Sequence, residues 1–195
     1  MLDGADNGLG FWGFFGGGEN DGSDAPHVGD IGAPTTCMEF TEVSECDMTA
    51  SMIVIGNFDP TSCSATVTAT GASTINLGWC NASFHTGAMT HEIGHVLGLG
   101  HEQKRPDRDS FISINWTAVE PGWVSEYTMY SSQADHHRPY NYDSIMHYSV
   151  GNGEIVTPAG IRVGRRTGSF DGNDVSQVHH VLTLTAVDLR PFVAY

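Results

Sequence analysis

The chain has 195 residues, enough for one domain with a substantial core and too few for two. Its 23 acidic residues against 8 basic ones give a formal charge of −15. That balance argues against nucleic-acid partners, whose phosphates require clustered Lys and Arg, and against anionic membrane surfaces. Residues 1–36 are rich in Gly, Asp and Asn without a period of 2 or 3.6. They read as a flexible lead-in, with Phe11, Trp12, Phe14 and Phe15 as an apolar patch. Asp3 and Asp6 stand where a signal peptide carries positive charge. The start is therefore expected to be that of a processed or truncated piece, or not the natural one. No apolar run is long enough to span a bilayer, so no membrane insertion is expected.

From residue 37 the composition changes. Cys37–Val43, Ser51–Ile55, Ala65–Thr70 and Thr74–Leu77 are rich in Val, Ile and Thr between turn residues, which predicts the strands of a small sheet. Thr86–Leu97 places Ala88, Met89, Ile93, Val96 and Leu97 at helical spacing, with Thr86 as the expected N-cap and Gly98 and Gly100 as natural stops. Beyond Pro106 the chain is irregular, apart from a short helix expected near Asp174–Val181.

Cysteines stand at 37, 46, 63 and 80, all upstream of a histidine cluster. An even count suits two disulfides in an oxidising compartment, with three pairings open and four buried thiols as the alternative. The sequons Asn81-Ala82-Ser83 and Asn115-Trp116-Thr117 are compatible with the secreted or extracellular location this implies.

His91-Glu92-Ile93-Gly94-His95 sets two imidazoles one helical turn apart on one face, a spacing that can hold a single ion. A straight helix cannot bring His101 to the same point. Gly98, free to adopt a positive φ, can end the helix and turn the chain back. Three histidine nitrogens leave a fourth position for water, the open arrangement of a catalytic zinc, so one Zn²⁺ is expected. Glu92, next to the first ligand, is placed to take a proton from that water and return it to a leaving amine. The full string from His91 to His101 fixes five residues, His91, Glu92, His95, Gly98 and His101, at set spacings.

On these residues the chain resembles the metzincin metallopeptidases. Its continuation His101-Glu102-Gln103-Lys104-Arg105-Pro106-Asp107-Arg108-Asp109, with Ser144-Ile145-Met146-His147-Tyr148 downstream, resembles the astacin family. The resemblance implies an α+β metzincin-like zinc peptidase domain at 37–182. It would comprise a small twisted mixed sheet, an active-site helix and an irregular C-terminal half, followed by a tail at 183–195. It implies Met146 as the apolar floor of a Met-turn under the imidazoles, and Tyr148 as an additional, movable zinc ligand that supports an oxyanion. Glu102 would be the buried partner of a mature N-terminus, or alternatively an ion-pair partner of Arg105 or Arg108. A Cys63–Cys80 disulfide would tie an edge strand to the segment before the helix, and that strand would hold an extended polypeptide. A Cys37–Cys46 bridge is expected in place of the family's usual partner, because residues 182–195 contain no cysteine. The strand and long helix that the family sets before Cys37 are not recognisable in residues 1–36, and Val28-Gly29-Asp30 lies too near Cys37 to serve as a propeptide aspartate.

The remaining histidines, at 27, 85, 136, 137, 147, 179 and 180, lack ligand spacing and read as surface or hydrogen-bonded residues, with His147 structural. Arg162, Arg165 and Arg166 either line the leaving-group side of a cleft or form a solvated patch. The function expected is hydrolysis of internal peptide bonds by a monomer. The alternative is a catalytically silent astacin-like binding module.

Overall fold

The computed structural model describes residues 10–16, 38–42, 52–68, 71–131, 138–164 and 170–178. Five strands form one sheet: β1 (Gly10–Gly16), β2 (Met38–Glu42), β3 (Met52–Gly56), β4 (Ser64–Thr66) and β5 (Ser73–Asn76), in the order β2-β1-β3-β5-β4. The β3 and β5 pair is parallel, with Ile53 opposite Ser73 and Ile55 opposite Ile75. The others are antiparallel, so the sheet is mixed. Met52, Ile53 and Val54 are buried in succession, because β3 is the central strand of the sheet and a strand covered on both faces needs no alternation. In contrast, β4 alternates exposed, half-buried and exposed, and lies at the sheet edge.

Strand β1 corrects the reading of residues 10–16 as part of an unstructured lead-in. Glycines at 10, 13 and 16 dilute the local pattern, but Phe and Trp favour strands, and pairing with both β2 and β3 satisfies the backbone. Cys37, Cys46 and the C-terminal tail lie outside the described residues.

A buried amide organises the turn that launches β4. Asn76 Oδ1 accepts from the Phe58 and Asp59 N–H groups at 2.8 and 3.1 Å. Its Nδ2 donates to Asp59 O, Ser62 O and Ser62 Oγ. The chain passes so close here that a Cβ on Gly78 would stand 1.9 Å from Ser62 O. Next to this junction Cys63 and Cys80 are joined in a disulfide across 17 residues of sequence. Closing that loop should be worth about 3 kcal/mol by restricting the unfolded chain. Replacing both cysteines by Ala is expected to lower unfolding stability by that amount. Unchanged thermal unfolding would show that the Asn76 bonds hold the loop alone.

The long helix α1 (Thr86–Val96) packs against β4 and β5. Thr86 is its first helical residue rather than its cap. A 3-10 turn at Ser83–His85 runs into it, and His85 occupies the N-cap position without a side-chain cap bond. The other end follows the sequence expectation. Gly98 has φ of 89°, Leu99 N–H donates to Gly94 O and Gly98 N–H to His95 O, which together form a Schellman stop.

The second half is held by short elements: β6 (Ser113–Ile114) paired with β7 (Ile155–Val156), a one-turn helix α2 (Val124–Tyr127) and helical residues 172–178, α3. Four-residue helices carry no period that a sequence could show. Two apolar clusters anchor this half. Leu97, Leu99, Ile145, Met146 and Val178 join it to α1, while Ile112, Val119, Tyr127, Tyr140, Ile155 and Val163 form its own centre. Each fully buried side chain such as Ile145 or Met146 contributes about 1.5–3 kcal/mol.

Candidate metal centre

Helix α1 projects His91 and His95 from one face, and the Gly98 stop returns the chain so that His101 meets them. The three Nε2 atoms form a near-equilateral triangle: 3.2 Å between His91 and His95, and 3.1 Å from each to His101. Four-coordinate zinc with bonds of about 2.05 Å requires ligand nitrogens about 3.3 Å apart, so the triangle fits one such ion.

The outward nitrogens decide the tautomers. His91 Nδ1 lies 2.8 Å from Ile145 O, and His95 Nδ1 lies 2.9 Å from Leu99 O. A carbonyl can only accept, so both Nδ1 atoms carry the proton and both Nε2 atoms present lone pairs. His101 Nδ1 faces a carboxylate, Glu126 Oε2, at 3.5 Å. Three lone pairs converging on one point repel one another unless a cation lies between them. The donor set therefore suits a borderline-soft divalent metal such as zinc.

The segment 144–148 braces this centre from below. A Cβ on Gly94 would stand 2.5 Å from Met146 Sδ, so the glycine within the motif lets Met146 press against the helix between the two ligands. Met146 is buried, and its carbonyl accepts from Glu102 N–H. Ser144 Oγ donates to Asp174 Oδ1 on α3, which also receives Ile145 N–H at Oδ2. Tyr148 follows, its ring centroid 4.5 Å from that of His101 and 6.4 Å from that of His91. Glu92 is buried on α1, one position after the first ligand.

Glu102 Oε1 accepts from Asn141 N–H at 2.7 Å and from Arg105 Nη1 at 3.0 Å. Burial outweighs the attraction of Arg105 and raises the carboxyl to about 7. His147 is wholly buried, with Nδ1 donating to Tyr148 O and Nε2 accepting from Tyr140 OH. Burial pushes its pKa down to about 4, so the ring is neutral and structural. Of the arginine cluster, Arg162 is exposed, and Arg165 and Arg166 lie outside the described residues, as do His27, His136, His137, His179 and His180.

Gln103 and Tyr130 take supporting roles that no sequence feature marks, and Arg108, a candidate partner of Glu102, bonds main-chain carbonyls instead. Gln103 is fully buried, its Oε1 accepting from Tyr148 N–H and its Nε2 donating to Glu126 O. Tyr130 OH accepts the His101 N–H at 2.9 Å, and buried Arg108 donates to Gln103 O and Tyr127 O. Their signal is weak: each is a polar residue near the third ligand whose partner lies far along the chain.

A family model described as Astacin, a family of peptidases, matches residues 32–156. The chain belongs to the astacin family. Among relatives, zinc metalloproteinase nas-13 of Caenorhabditis elegans is 32% identical over 169 residues, covering 80% of this chain and 36% of the nematode protein. High choriolytic enzyme 1 of Oryzias latipes is 36% identical over 103 residues, covering 48% of this chain and 37% of its own length. The match of this astacin-family chain thus spans little more than a third of the length of either relative. The solved structure of high choriolytic enzyme 1, a hatching enzyme zinc-protease of the medaka fish, superposes with a TM-score of 0.61 at 23% identity. The match covers 71% of each chain and establishes the α+β fold. Zinc is the metal of astacins, and here His91, His95 and His101 form its candidate site.

Proposed function

We infer that this astacin is a zinc-dependent endopeptidase that hydrolyses internal peptide bonds of proteins. The observation that carries the reading is the triangle of Nε2 atoms, 3.1–3.2 Å on a side, with the outward nitrogens of His91 and His95 committed to carbonyls. When bound, zinc supplies Lewis-acid polarisation. Glu92 takes the proton of the attacking water and hands it to the leaving amine, which is general acid–base work. Tyr148, beside His101, donates its phenol hydrogen to the oxyanion. The exposed edge of β4 holds substrate as an added strand, so partners are extended polypeptides. The Cys63–Cys80 disulfide favours an oxidising, extracellular setting. No helix among the described residues is long and apolar enough to cross a membrane.

A catalytically silent binding module would have no need of Glu92. Cleavage of denatured casein, abolished by a chelator and restored by zinc, is the expected result. A protein that binds zinc and leaves casein intact would turn the assignment to the silent module.

A further inference from the structure

The three histidines are steadied by unlike groups. Main-chain carbonyls face Nδ1 of His91 and His95, whereas a side-chain carboxylate, Glu126 Oε2, faces Nδ1 of His101. We propose that Glu126 is a positioning residue for the third zinc ligand and sets how tightly the centre holds its metal, a role that rests on the zinc reading above.

The first support is mechanical. Helix α2, which carries Glu126, is a single turn and too short to be stable alone. It is clamped to the segment that follows His101: Gln103 Nε2 donates to Glu126 O at 3.4 Å, and Arg108 Nη1 donates to Tyr127 O. The Tyr127 ring meets the Tyr148 ring edge-on at 6.0 Å, and Ser125 Oγ lies 3.4 Å from Glu126 Oε1. Carboxylate and ligand ring therefore sit on one braced unit.

The second support is electrostatic. A metal on Nε2 draws electron density from the ring and makes Nδ1–H a stronger donor. A carboxylate facing that N–H offsets the charge and keeps the nitrogen basic. At 3.5 Å the carboxylate faces the N–H of a neutral ring at longer than hydrogen-bond range, and the gap leaves room to tighten once the ring is polarised by metal. Lys104 Nζ lies 3.9 Å from the same Oε2 and 5.0 Å from the Tyr130 ring centre, so it competes for the carboxylate. The Glu126 side chain is 33% exposed, so water screens the pair and the effect tunes affinity rather than creating the site.

Zinc affinity measured by chelator competition, the visible spectrum of the cobalt(II)-substituted protein and thermal unfolding of the metal-free protein test this together. Glu126→Gln is expected to weaken zinc binding about 10–100-fold and to shift the cobalt bands, with metal-free unfolding unchanged. Glu126→Asp should recover part of the affinity, because it restores the charge at a greater distance. Lys104→Met should hold zinc at least as tightly as the parent. Parent-like affinity and spectrum in Glu126→Gln would overturn the proposal, as would an equal loss of affinity in Lys104→Met. A parent protein that fails to bind zinc would overturn the metal assignment itself, and this role with it.

Discussion

Glu92→Gln is expected to lower kcat/KM on a peptide substrate by about 10²–10⁴-fold while zinc content and melting temperature stay at parent values. The substitution is nearly isosteric at a buried position of α1, so the fold has no reason to change. The neutral amide cannot accept the proton of the attacking water or return it to the leaving amine. Loss of activity with retained metal would separate this role from ligation, because the three Nε2 atoms are untouched. Metal analysis and steady-state kinetics on the same preparation provide the check. Turnover within tenfold of the parent would remove Glu92 from the mechanism.

His101→Ala is expected to abolish zinc binding in the working range and activity with it. The variant keeps only His91 and His95, two donors where a catalytic zinc needs three. Its affinity should fall by more than the about 100-fold that loss of a supporting partner costs. Thermal unfolding reads this directly. Zinc at about 1,000 times its dissociation constant stabilises the parent by about 4 kcal/mol. For a chain of this size that is an upward shift of about 8–16 °C. At the same zinc concentration a 100-fold loss of affinity would leave only about 1.4 kcal/mol, a shift of about 3–6 °C, so the variant should shift by less than that. A shift equal to the parent's would exclude His101 from the metal centre.

Features set by neighbours along the chain are legible in the sequence. His91 and His95 share a face because they are four residues apart in a helix, and Gly98 reverses the chain because glycine tolerates a φ of 89°. Those features involve neighbours in sequence. The strand near Met52–Gly56 announced itself by an unbroken apolar run, whereas β1 did not, because its three glycines interrupt any pattern and its partners begin more than twenty residues downstream. Thr86 begins the helix instead of capping it, because a 3-10 turn runs directly into α1 and sets its start one residue earlier.

The amino-acid sequence alone therefore determined the family resemblance, the ligand spacing and the turn that brings a third imidazole back. Only the tertiary structure decided how the rings are aimed. Ile145 O reaches His91 across 54 residues, Gln103 meets Tyr148 across 45, and Glu126 comes to His101 on a helix too short to leave a periodic trace. Such contacts form when separate segments bury a shared apolar core, which pins polar groups that are distant in sequence within a few ångströms of one another. Periodicity records neighbours along the chain and holds no account of those meetings.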